Sequence, residues 1–183
     1  MKSFALSLMF SLAASTAAFA GKIHVTLPNS GTNIRFTVLN DDGFDITKIK
    51  FDLSTTFSDA PGNPPLVVDS TYGEVGPTGG TATAFSMGQF IFGYDFTSFN
   101  HGETFGFNLD PDIAGDPSYG AVTTELIGAG VWVTTTGGTV HGTIGMMGRD
   151  LGAWIDSPDV PEQTTYALFA LGLAGIAALR RKK

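Results

Sequence analysis

Residues 131–144 read Val131-Trp132-Val133-Thr134-Thr135-Thr136, Gly137-Gly138, Thr139-Val140-His141-Gly142-Thr143-Ile144. Two runs rich in β-branched and aromatic residues flank a glycine pair, the sequence form of a β-hairpin whose two-residue turn needs positive φ. With Gly137-Gly138 as the turn, Val133 pairs with Gly142 and Thr135 with Val140 on one face. Trp132 then pairs with Thr143, and Thr134 with His141, on the other.

The same two-residue period recurs on both sides of this hairpin. In Ile49-Lys50-Phe51-Asp52-Leu53 the apolar side chains fall on one face and the charges on the other. Ile23/Val25/Leu27, Ile34/Phe36/Val38, Phe90/Phe92/Tyr94/Phe96, Phe105/Phe107/Leu109 and Val131/Val133 repeat the pattern. Between the runs lie turn-forming clusters: Asn40-Asp41-Asp42-Gly43, Pro61-Gly62-Asn63-Pro64-Pro65, Gly76-Pro77-Thr78-Gly79-Gly80 and Asp110-Pro111-Asp112. No stretch between residues 21 and 156 carries a helical period. These features predict an all-β domain over residues 21–156, an antiparallel β-sandwich of jelly-roll or immunoglobulin-like type with eight to ten strands.

The two ends of the chain have different compositions. Lys2 precedes an apolar stretch, and Ala18-Phe19-Ala20 follows it: the charged, apolar and A-x-A regions of a secretory signal peptide spanning residues 1–20, with Ala18 and Ala20 setting cleavage before Gly21. At the other end, residues 166–179 (YALFALGLAGIAAL) carry no charge and run into Arg180, Arg181, Lys182 and Lys183. As a helix these residues span roughly 21 Å, short against a hydrocarbon core of about 30 Å. A buried core helix, however, rarely ends its chain in four consecutive cations. The reading is therefore a transmembrane helix at 166–179, with 180–183 as a membrane-stop tail held in the cytoplasm by the positive-inside rule. Residues 157–165 form a linker, in which Pro158 and Pro161 resist helix and favour extended backbone.

A Pro-Glu motif, a short apolar helix and a basic end, in that order, resemble the PEP-CTERM sorting signal of Gram-negative bacteria. The residues that match are Val160, Pro161, Glu162, Tyr166 and the basic end; Gln163 stands where the family has its second proline. The resemblance covers residues 160–183 only. It implies an exported protein, anchored in the membrane before processing, then cut near the motif by a membrane-embedded exosortase and released to the cell surface or extracellular matrix. It also implies an association with exopolysaccharide; the body between the two ends carries no recognisable catalytic motif, which points to a non-enzymatic role. Signal peptidase and exosortase are the expected processing partners.

Between residues 21 and 160 five cations face sixteen acids, a net charge of −11. Such a body repels nucleic acid, which is bound by cations that displace counterions. The absence of cysteine excludes disulfides, thiol catalysis and cysteine metal sites. No serine occupies a G-x-S-x-G elbow, and no glycine-rich stretch has the strand–loop–helix setting of a phosphate loop. His24, His101 and His141 are far apart in sequence and fit no ligand spacing, which leaves them as strand or turn residues.

The best metal candidate is Asp110-Pro111-Asp112-Ile113-Ala114-Gly115-Asp116. Asp110, Asp112 and Asp116 converge around a turn in this reading, and Asp110, Asp112 and Gly115 take places 1, 3 and 6 of a calcium loop. Place 5 is Ala114 and place 12 is Ala121, so the bidentate acid is missing. The alternative is that these aspartates cap a turn and hold no ion. Asn40-Asp41-Asp42-Gly43-Phe44-Asp45 is a weaker candidate of the same kind. A glycan-binding module would use exposed aromatics, for which Trp132, Trp154, Tyr72, Tyr94 and Tyr119 are available; residue type alone places these in the core or at its edge.

Overall fold

The computed structural model describes residues 22–32 and 34–156. Residues 1–20, read as a signal peptide, the expected linker with Val160 to Gln163, the expected helix at 166–179 and the tail 180–183 lie outside the described residues. The described residues form eleven strands and one short 3-10 turn, one strand more than the upper expectation. Every strand pairing is antiparallel, so the all-β, antiparallel expectation holds.

In chain order the strands are β1 (Lys22–Leu27), β2 (Ile34–Asp41), β3 (Ile46–Asp52), β4 (Leu66–Val75), β5 (Ala82–Phe85), β6 (Ile91–Phe96), β7 (Thr104–Ile113), β8 (Gly130–Thr135), β9 (Gly138–Thr143), β10 (Gly145–Met147) and β11 (Asp150–Asp156); the 3-10 turn is Thr123–Leu126. One sheet has the order β10-β11-β1-β2-β7-β4 and the other β5-β6-β3-β8-β9. The alternation read in β1, β2 and β3 is the alternation of burial: Ile23, Val25, Leu27, Ile34, Phe36, Val38, Ile49 and Phe51 are all buried.

Phenylalanines tie the two sheets together. Phe36 of β2 stacks on Phe107 of β7 with centroids 5.1 Å apart, and Phe51 of β3 on Phe92 of β6 at 5.0 Å. Edge-to-face contacts then cross between sheets, Phe36 to Phe51 at 4.9 Å and Phe51 to Phe107 at 5.8 Å. These separations fall in the range where ring quadrupoles add to the gain from burial.

The structure corrects two expectations. The β8–β9 hairpin forms, but Val133 pairs with Val140 and Trp132 with His141, a shift of two residues that puts the turn at Thr136-Gly137. The shift has local causes. Thr136 N donates to Asp45 O at 2.9 Å, and Gly137 lies so close to Phe44 that a Cβ there would come within 2.7 Å of the ring. The positive φ falls on Gly138, at 145°. A shift of two leaves every side chain on its expected face.

The second correction concerns Asp110-Pro111-Asp112, expected as a turn and found inside β7. β2 pairs with β7 only as far as Leu109, so Pro111 has β4 as its single neighbour. There it faces Val68, beside a register break between Val68 and Ser70. Proline is tolerated in sheets at such bulges and at positions lacking a second neighbour, where no ladder bond needs its amide.

Candidate functional site

The register break in β4 makes Asp69 the extra residue opposite β7, and β-bulges commonly re-aim a side chain in this way. On β7, Phe107 and Leu109 point into the core, so Asp110 and Asp112 point out. Asp69, Asp110 and Asp112 thereby share the outer face of the six-stranded sheet, with a carboxylate oxygen of each within 4.8 Å of the others. Asp69 and Asp110 are exposed, whereas Asp112 is only 5% exposed. Burial, followed by the charges of Asp69 and Asp110, pushes the Asp112 carboxyl up to about 6. Three carboxylates this close repel one another, and a hard cation with oxygen ligands would relieve that repulsion.

Asp116, the third predicted ligand, is not in this group. Its carboxylate accepts hydrogen bonds from Ser118 N at 3.1 Å and Ser118 Oγ at 2.6 Å, which hold its pKa below the usual carboxylate value. It caps a turn, as aspartates between strands commonly do. Asp69 takes the third place. Forty-one positions separate it from Asp110, and only the β4–β7 pairing brings the two together.

The Asn40–Asp45 turn is organised around Asn40, which is fully buried. Its Nδ2 donates to Phe44 O at 3.0 Å and to Phe99 O at 2.8 Å, while its Oδ1 accepts from Asp42 N at 3.1 Å. Asp42 is 1% exposed, and its Oδ2 has no hydrogen-bond partner among the described residues. His101 Nδ1 lies 3.0 Å from Asp42 O and 4.0 Å from Asp41 Oδ1. The three histidines stay apart, each in a different sheet or loop.

Another carboxylate serves as a clasp. Glu125, 6% exposed, accepts hydrogen bonds from Asp59 N at 2.6 Å, from Val122 N at 2.6 Å and from the Tyr119 hydroxyl. The Glu125 carboxylate accepting from it raises the Tyr119 pKa. The arrangement ties the loop after β3 to the 3-10 turn.

Both tryptophans face outward, against the residue-type expectation. Trp154 is 54% exposed and Trp132 is half-buried; Tyr72 is also exposed, whereas Tyr94 is in the core. On each outer face a lysine and a histidine flank the indole. Lys22 and His24 accompany Trp154, and Lys50 and His141 accompany Trp132. No family model matches this chain, and no curated protein or solved structure matches it.

Proposed function

We propose that the chain is an exported, non-enzymatic protein of the cell surface or extracellular matrix of a Gram-negative bacterium, associated with exopolysaccharide. In this reading signal peptidase removes residues 1–20. The helix at 166–179 holds the protein in the membrane until an exosortase-type enzyme cuts near Val160-Pro161-Glu162-Gln163. The observation that carries it is the order of motif, apolar run and basic end over residues 160–183. Among the described residues no helix is long and apolar enough to cross a membrane, and residues 166–179 lie outside them. The finer fold in this proposal is a jelly-roll or immunoglobulin-like sandwich. Consecutive connections β2–β3, β3–β4, β6–β7 and β7–β8 that each change sheet support it.

Intact masses of the protein from membrane and extracellular fractions of its native host test this reading. The expected extracellular species has lost both ends and terminates at or near Glu162. A chain still ending in Lys183 and confined to membranes refutes the processing.

The convergence of Asp69, Asp110 and Asp112 favours a second reading, a secreted module that takes Ca2+ or carbohydrate. Millimolar calcium then raises the melting temperature by mass action, and Asp110→Ala with Asp112→Ala abolishes the rise. An unchanged melting temperature in calcium refutes the metal form.

A further inference from the structure

The outer face of the five-stranded sheet carries one row of residues straight across all five strands. Phe85 pairs with Gly93, Gly93 with Lys50, Lys50 with Trp132, and Trp132 with His141. The benzo edge of Trp132 lies over Gly130, where a Cβ would come within 2.4 Å of it, so the indole stands close to the backbone of its own strand. The Lys50 ammonium is 4.1 Å from the indole centroid on one side, and the His141 ring is 6.4 Å away on the other. Outward threonines, Thr134, Thr139 and Thr143, surround the group with hydroxyls.

Charge distinguishes this group from its counterpart on the other sheet. Beside Trp154, Lys22 is paired with Asp156 at 3.8 Å. Beside Trp132, no carboxylate among the described residues comes within 4.0 Å of the Lys50 ammonium, and strands β8 and β9 contain no acid at all. On the same face, Asp95 pairs with Lys48 at 3.0 Å, and Asp52 accepts a hydrogen bond from Ser54 N at 2.9 Å. Asp69, Asp110 and Asp112 point from the outer face of the opposite sheet, on the far side of the core.

We propose that the Lys50–Trp132–His141 face binds a sugar chain bearing carboxylates. Its C–H surfaces pack on the outward indole, its carboxylate pairs with Lys50, and its hydroxyls bond to the threonines and His141. The proposal deepens the exopolysaccharide association above and rests on that reading for its biological setting, while its evidence is the geometry of the sheet.

The test measures binding of the full-length chain in detergent micelles to polygalacturonate, with dextran as the neutral glycan and polyglutamate as the polyanion without sugar. Expected is binding to polygalacturonate that falls at least tenfold in Trp132→Ala and in Lys50→Gln but is unchanged in Trp154→Ala. Thermal midpoints confirm that the variants fold, and Lys50→Gln keeps the test decisive if Trp132→Ala does not. Equal binding of dextran or polyglutamate, no binding to polygalacturonate, or loss in Trp154→Ala alone overturns the proposal. Its failure is distinguishable from failure of the sorting reading: processed extracellular protein that binds no glycan refutes the former, and an unprocessed chain that binds polygalacturonate refutes the latter.

Discussion

Replacing Glu125 by Gln tests whether the clasp between the loop after β3 and the 3-10 turn stabilises the sandwich as its geometry implies. Oε1 accepts from the Tyr119 hydroxyl and Asp59 N, while Oε2 accepts from Val122 N. A glutamine carbonyl in the Oε1 position retains two of these bonds but turns its NH2 group towards the Val122 amide, so that donor faces donor. A hydrogen bond to a charged acceptor contributes about 1.5–3 kcal/mol, and an unsatisfied buried donor costs about 1–3 kcal/mol. Because these ranges describe largely the same loss, the net destabilisation is about 3 kcal/mol. For a body of this size that lowers the melting temperature by roughly 12 °C.

Tyr119→Phe removes one donor to the carboxylate and the more distant of the two acceptors of Asp59 N, at 3.0 Å, but leaves the carboxylate with both backbone partners, for a loss of about 1 kcal/mol or roughly 4 °C. Thermal unfolding followed by far-UV circular dichroism measures both variants. A Glu125→Gln midpoint within 2 °C of the parent, or a larger loss in Tyr119→Phe than in Glu125→Gln, refutes the reasoning.

Phe107→Ala removes the ring that touches Phe36, Phe51 and Phe92, and urea titration should show a loss of about 3–5 kcal/mol. Asp112→Asn should stabilise the protein at pH 7.5 and not at pH 3.5. The folded-state carboxyl is raised to about 6 from 3.8, so its destabilising ionisation sets in as pH rises through that window. The gain at pH 7.5 is about 1–2 kcal/mol, reduced from the full shift because solvent screens the exposed Asp69 and Asp110 charges; denaturant midpoints at the two pH values read it directly.

The strands legible in the sequence are those that bury one face and leave the other wet. β1 and β2 show their burial as a strict alternation because each contributes one side chain in two to the core, and β3 does so from Ile49 onward, after the irregularity between Ile46 and Lys48. β4 hides its identity: it is an edge strand, its buried residues stop at Val68, and its bulge breaks the period. The same strand supplies Asp69, so the acidic group stayed out of reach for the same reason. Pro111 misleads in the opposite direction, since proline beside aspartates signals a turn until a neighbouring bulge makes the missing amide harmless.

The tryptophans separate two kinds of sequence signal. Residue type argues for the core, because large aromatics dominate buried surface. Parity argues the reverse, since Val131 and Val133 point inward and Trp132 between them must point outward. The same holds for Trp154 between Ala153 and Ile155, both buried. Parity prevails because it is imposed by the backbone, whereas residue type is only a preference. The hairpin makes a related point: with its turn shifted, partners change but faces do not, so inside and outside are readable from sequence even where pairing is not.

The placement of the two proposed cuts follows from the pairing of the body's first and last strands. Lys22 and Asp156 are paired to each other, and β1 lies between β11 and β2 within the six-stranded sheet. Cleavage after Ala20 falls before the first residue of β1, and cleavage near Glu162 falls after the last residue of β11. Neither cut breaks a ladder hydrogen bond of the described strands, so processing should leave the stability of the sandwich unchanged. A cut two residues inside either strand would instead unpair ladder positions next to Trp154 and His24 and expose backbone donors that the sheet otherwise satisfies. The melting temperature of the extracellular species should therefore equal that of the same body released by a protease site inserted directly after Asp156. A difference of more than a few degrees would mean that residues beyond Asp156 contribute to the body and that the sandwich does not end with β11.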